Sequence, residues 1–287
     1  MRLAQRAIFA ALVGLPLLSS LTALAAEPIE CTLKVEELEP PRAVEPDGPQ
    51  SDGDACADFN IAHHFHRLGY YQQAEQWYIS AAGKGYNRAS FEIAKLYRDG
   101  LLPEDDQQRR AWLAQAAHDG LDLAQIELGL EHLKDREISG QLFIAMYWFE
   151  KAAVQGNPQA QYLLGQHYWS DPAQAQELDM SSGDELAERY SSNDGKALHW
   201  LCKAAQNNEP RAQFSLSQAY SLGRGTPVNQ TQRQLWLEKA AANGDESALS
   251  QLNENGNSWY TQAEQWLKRQ LADETAQCPV EALPLES

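Results

Sequence analysis

Small and apolar residues recur along this chain at spacings that paired helices satisfy. A leading alanine is followed by apolar or small residues at offsets 2, 4, 5 and 8, as in Ala89, Phe91, Ile93, Ala94 and Tyr97, or Ala160, Tyr162, Leu164, Gly165 and Tyr168. This set covers one broad face at helical period and predicts an amphipathic helix in each case. The leading alanine recurs at Ala89, Ala124, Ala160, Ala212 and Ala248, and Ala57 opens a shorter first copy. Each of these helices is followed by a second motif, Trp-x3-Ala-Ala, at Trp77, Trp112, Trp148, Trp200 and Trp236, and a copy at Trp266 lacks the alanines. Three residues beyond the second alanine stand Gly85, Gly120, Gly156 and Gly244, with Asn208 in the remaining copy. Glycine and asparagine are the residues that leave a helix in a left-handed conformation, so each marks a helix end.

The alanine and tryptophan ladders share one set of spacings, 35, 36, 52 and 36 residues. Two ladders in phase, with the same anomalous gap, define a repeated pair of helices. Alanine pairs allow close approach of helix axes, and each indole covers a large apolar area between neighbours. One pair cannot hide its own apolar face, so successive pairs must stack. Offsets 1, 3, 6 and 7 of the first helices are left for a continuous surface, which includes His63, Lys95, Glu127, Glu131, Gln166 and Gln218.

The stretch Tyr220-x-x-Gly223-x-Gly225-Thr226-Pro227-Val228-Asn229, ending in Trp236-Leu237-Glu238-Lys239-Ala240-Ala241-x-x-Gly244, resembles a Sel1-like repeat, a relative of the tetratricopeptide repeat. The first unit, with Leu68-Gly69-Tyr70-Tyr71-Gln72-Gln73-Ala74, is closer to a tetratricopeptide unit. The resemblance implies an all-α solenoid of about six helix-turn-helix repeats in a right-handed superhelix, over residues 56–271. The 52-residue gap places an insertion at 170–193, rich in Ser, Asp and Gln, with Glu185 to Tyr190 as one or two further helical turns.

The N-terminus changes the picture of where such a solenoid works. Arg2 and Arg6 precede an apolar run from Ala7 to Leu18 and the small residues Ala23 and Ala25, the pattern of a secretory signal over residues 1–25. Residues 26–55 follow as an acidic, proline-rich leader, and 272–287 as an irregular tail. No later run reaches the ~20 apolar residues of a membrane span. A bacterial periplasmic location is the expectation. An oxidising compartment makes disulfides the default for Cys31, Cys56, Cys202 and Cys278, with Cys31–Cys56 and Cys202–Cys278 favoured among three pairings. A buried free thiol at Cys202 is the alternative.

Charge and chemistry narrow the function. Forty Asp and Glu against 23 Lys and Arg give a net charge of −17, which argues against nucleic acid and anionic membranes as partners. His63 and His66 lie three apart on one helix face, a spacing that could share a metal ion, but no acidic or cysteine ligand stands at a matching offset. No G-x-S-x-G occurs, and no serine is followed three residues later by lysine. No catalytic residue, cofactor or metal is therefore expected. The reading that follows is a non-catalytic scaffold of a bacterial cell-envelope assembly, holding another protein through His63, Lys95, Glu127, Glu131, Gln166 and Gln218. The Sel1-like resemblance implies such adaptors. It also admits an alternative, an envelope enzyme that binds or hydrolyses β-lactams or cell-wall fragments.

Overall fold

A computed structural model describes residues 53–135, 140–169, 193–254 and 276–279. Most of the leader, of the insertion and of the C-terminal tail lies outside the described residues, as do Cys31, Glu185 to Tyr190 and the Trp266 copy. Among the described residues there are eleven α-helices and no strand. They are α1 (Ala55–Arg67), α2 (Tyr71–Gly83), α3 (Asn87–Arg98), α4 (Asp106–His118), α5 (Asp122–Lys134), α6 (Gln141–Val154), α7 (Pro158–Trp169), α8 (Asp194–Gln206), α9 (Pro210–Leu222), α10 (Gln230–Ala242) and α11 (Glu246–Glu254).

Odd-numbered helices carry the leading alanine and even-numbered helices up to α10 carry the tryptophan. Each odd helix packs most extensively on the even helix that follows, and each even helix next on the odd helix after it. The result is a single file of antiparallel pairs, the all-α solenoid that the two ladders predict. The pair formed by α7 and α8 closes across the insertion, where Asn193 N–H donates to Tyr168 O at 3.0 Å.

The helix ends follow from local chemistry. Asp54, Asp105, Asn193 and Asn229 cap α1, α4, α8 and α10, their side chains accepting from the backbone N–H three residues on. At the exit of α2, α4, α6, α8 and α10 the chain turns through a left-handed residue: Gly85, Gly120, Gly156, Asn208 or Gly244. Asn208, at φ 62°, is the only described non-glycine residue with positive φ. The N–H two residues after the cap closes each turn onto the first alanine of the pair, as Glu209 to Ala204 O at 3.0 Å and Asp245 to Ala240 O at 2.9 Å.

Burial grades along the tryptophan ladder. Trp148, Trp200 and Trp236 are buried, whereas Trp77 and Trp112 are half-buried. All the leading alanines from Ala89 onward are fully buried. Offset 5 is where a first helix crosses its own partner, and in α1, α3, α5, α7 and α9 it holds only small residues: Ala62, Ala94, Gly129, Gly165 and Ser217. A Cβ on Gly165 would stand 2.7 Å from Leu201 Cγ, and one on Gly129 would stand 2.6 Å from Phe149 Cε1, so both glycines set the distance between helix axes.

Candidate partner-binding surface

Offset 1 departs from the expected surface. Asp58, Ser90, Gln125, Gln161 and Gln213 all point inward and are buried. A polar side chain there survives only with partners, and the repeat supplies them in register. Gln125, Gln161 and Gln213 each donate Nε2–H to the second alanine of the preceding pair, at Ala117 O, Ala153 O and Ala205 O, over 3.0 to 3.1 Å. Each glutamine Oε1 accepts in turn from the residue ending the next even helix: Gln155 at 2.8 Å, Asn207 at 3.1 Å and Asn243 at 2.8 Å. In the first pair the same position is Asp58, which accepts from Ser80 Oγ at 2.6 Å and pairs with Lys84 Nζ at 2.7 Å. This ladder ties three consecutive helices together at each step. The signal in the sequence was an Ala-Gln dipeptide recurring in phase at 124, 160 and 212.

The six residues assigned to partner binding do fall on successive odd helices, but neighbouring repeats engage several of them. Glu127 on α5 receives Arg98 from α3 at 3.0 Å. Glu131 is ion-paired with Arg109 of α4, which also holds Asp106 at 2.8 Å. Lys95 pairs with Glu92 at 2.7 Å and covers the Phe91 ring. Gln166 on α7 donates to Ser215 Oγ on α9 at 3.0 Å. Arg98–Glu127 and Gln166–Ser215 thus brace one first helix to the next, and Arg109–Glu131 ties α5 to the second helix before it, while the outer edges of these side chains stay accessible. Gln166 and Gln218 are exposed, and the others are half-buried. The ion pairs also neutralise locally much of the acidity that the composition suggests for this face.

His63 stacks on Phe59 and sits 6.5 Å, ring to ring, from His66. Burial holds its pKa below the ordinary 6.5, Glu92 pulls the other way, and His66, Arg67 and Arg88 reinforce the depression. Among the described residues no group of three or more His, Cys, Asp and Glu is placed to hold a metal ion. The sign for stability follows from linkage: the unfolded chain takes up the proton first, so His63 lowers stability as the pH falls through 6.5 toward its folded pKa and contributes nothing above that window. An NMR titration of His63 is expected to give a midpoint below 6.5. A midpoint at or above 6.5 would show that burial does not dominate at this ring.

Cys202, buried on α8, is disulfide-bonded to Cys278, with a Cα–Cα distance of 5.7 Å. Cys56 is also disulfide-bonded, and no described cysteine is free. The four residues 276–279 lie across α8, α9 and α10. No helix among the described residues is long and apolar enough to cross a membrane.

A file of helix pairs with polar side chains arrayed along its first helices defines a repeat scaffold, the class of protein built to present an extended surface. A family model described as Sel1 repeat matches residues 66–86, 87–121, 122–157, 158–172, 186–209 and 210–245, more than half of the sequence, and the chain belongs to the Sel1 repeat family. Stretches 158–172 and 186–209 are the two halves of the pair formed by α7 and α8, divided by the insertion. Sel1 repeat proteins generally mediate protein–protein interaction and are typically non-catalytic.

The chain is 24% identical over 190 residues to chitin synthase regulator SKT5 of Saccharomyces cerevisiae, covering 62% of this chain and 24% of that protein. It is 30% identical over 91 residues to chitin synthase regulatory factor 3 of Schizosaccharomyces pombe, covering 31% of this chain and 10% of that protein. The chain therefore spans a quarter or less of these relatives. Among solved structures, a Sel1 repeat protein from Oxalobacter formigenes aligns with a TM-score of 0.55 at 22% identity, over 68% of this chain and 74% of that one, which shows the shared fold.

These relatives correct the expected location. Both curated matches are eukaryotic proteins, regulators from two yeasts, so the bacterial periplasmic location is withdrawn. The physical reason is that a basic start, an apolar run and small residues report only an affinity for a translocation machinery, a chemistry that bacteria and eukaryotes share. Those residues also lie outside the described part of the chain.

Proposed function

We propose that this chain is a non-catalytic adaptor that holds a protein partner along the face of its odd-numbered helices. The observation that carries this is the file of first helices presenting polar groups at the same offsets, with α3 braced to α5 by Arg98–Glu127, α7 to α9 by Gln166–Ser215, and α5 to the preceding α4 by Arg109–Glu131. A braced row is rigid, and a rigid row of polar groups binds with little ordering cost. The names of the curated relatives, regulators of chitin synthase, fit a protein that acts on another protein. His63, Lys95, Glu127, Glu131, Gln166 and Gln218 form the contact row. Photo-crosslinkers at Gln166 and Gln218 in the full chain, expressed in its native host, are expected to capture one protein, whereas a crosslinker at Val154, exposed on α6, captures none. Equal capture at Val154, or no protein product at Gln166 and Gln218, would refute the assignment.

A further inference from the structure

The groove between α8 and α10 holds four residues from the far end of the chain, and the manner of holding is that of a receptor for an extended peptide. Gln277 is clamped through its backbone. Its carbonyl accepts two hydrogen bonds, from Trp236 Nε1–H at 2.9 Å and from Tyr220 O–H at 2.8 Å. Its N–H donates to Gln232 Oε1 at 2.6 Å. Trp236 and Tyr220 are 1% and 5% exposed, so two buried donors from different helices converge on one carbonyl. The following residue, Cys278, is tethered to Cys202, and Gln206 Nε2 lies 3.7 Å from its sulfur. Pro279 is buried at the next position. Alongside this strap an open cavity of about 290 Å³ continues past Thr226, Pro227 and the exposed Val228.

The tryptophan ladder provides an independent comparison. Trp77 holds the equivalent place in the first unit, and its Nε1 is buried without a hydrogen-bond partner. At that position the helix pairs do not themselves supply an acceptor for the indole N–H. At Trp236 the acceptor comes from an extended segment instead.

We infer that the groove formed by Tyr220, Gln232, Trp236 and Cys202 is a binding site for an extended polypeptide segment, and that Ala276–Pro279 is its resident occupant; a dithiol reductant cleaves Cys202–Cys278 to two thiols, itself becoming a disulfide, and a like segment of a partner protein then takes the groove. The chemistry states what that segment must be. One peptide unit offers an N–H to Gln232 and a carbonyl to Trp236 and Tyr220, which any residue but proline satisfies. The next side chain must be small, because it faces Cys202. A proline follows, fixed in the extended conformation that the groove requires. The disulfide decides the competition, since a tethered occupant has a very high effective concentration. This site is built from Cys202 on α8, Tyr220 on α9 and Gln232 and Trp236 on α10 and shares no residue with the contact row proposed above, so either can fail alone.

The test uses the full chain and a fluorescein-labelled peptide of residues 272–283 in which Cys278 is serine. In the full-length variant Gln277→Pro with Cys278→Ser, the strap loses its tether and its donor to Gln232, while every groove residue stays. Fluorescence anisotropy is expected to show the peptide binding this variant at least tenfold more tightly than the oxidised wild-type chain. Adding Gln232→Ala, a partly exposed position at the start of α10, is expected to weaken that binding three- to tenfold. Circular dichroism of each variant reports that the helices are retained. Equal affinity for the wild-type and unstrapped chains, no binding to the unstrapped chain at millimolar peptide, or indifference to Gln232→Ala would each overturn the inference.

Discussion

Replacing Trp148 with alanine is expected to remove about 3–5 kcal/mol of stability, the range for truncating a buried aromatic side chain. The indole stands on α6 but packs on the preceding pair, among Phe91 and Ala94 of α3, Leu113, Ala116 and Ala117 of α4 and Ala124 of α5. It is 7% exposed, and the His118 ring meets it edge-on at 5.0 Å. Truncation therefore opens a void between two neighbouring pairs and not within one. In a stack whose stability is the sum of pair and interface contributions, an interface loss in the middle divides the file. Urea unfolding followed by circular dichroism is expected to show an earlier and broader transition for Trp148→Ala, with α1 to α4 separating from the remainder. Trp77→Ala, half-buried at the end of the file, serves as the comparison and should lose less. A midpoint for Trp148→Ala within error of wild type would mean that the indole is not an interface residue.

How much of this could be read from the residues differs sharply between fold and surface. The helix pairs were legible because two ladders of Ala and Trp, one period and one left-handed residue per turn all report the same geometry. Even the Asn208 substitution in the glycine series reads correctly, because asparagine tolerates that conformation best after glycine. The contact row was only half legible. Its positions followed from offsets, but offsets say nothing of which neighbour a charge will meet, and Arg98 and Arg109 come from the adjacent repeat to claim Glu127 and Glu131. Polar identity misled at offset 1. There Gln125, Gln161 and Gln213 look solvent-facing by composition, yet stand on the buried side of the helix.

The strap was legible only as a pair of cysteines. That Cys278 lies beside Cys202 is a matter of chain return over 76 residues, which no local pattern encodes. The clamp on Gln277 depends on where Tyr220, Gln232 and Trp236 point, three residues whose types suit a repeat core equally well. Location was the least legible property, because it rested on terminal residues whose chemistry is common to unrelated hosts.

The buried glutamines make the second large prediction. Gln161→Leu is expected to cost about 1–2 kcal/mol, the loss of two net hydrogen bonds. Leucine has similar bulk, so no large cavity opens, and the effect isolates the polar ladder from packing. Ala153 O keeps one bond, from Gly156 N–H at 3.0 Å, which holds the cost below that of a fully stranded carbonyl. Asn207 loses its 3.1 Å bond to Gln161 Oε1 and, being exposed, turns to water. The Asn207 bond is thus the part of the ladder that joins α7 to the end of α8, and a double-mutant cycle with Asn207→Ala separates it. The two substitutions are expected to be non-additive by about 0.5 kcal/mol or more, as for residues sharing one network. Strict additivity, or a Gln161→Leu chain as stable as wild type, would show that the glutamine fills space and that the in-register hydrogen bonds at Ala117, Ala153 and Ala205 do not hold the repeats together.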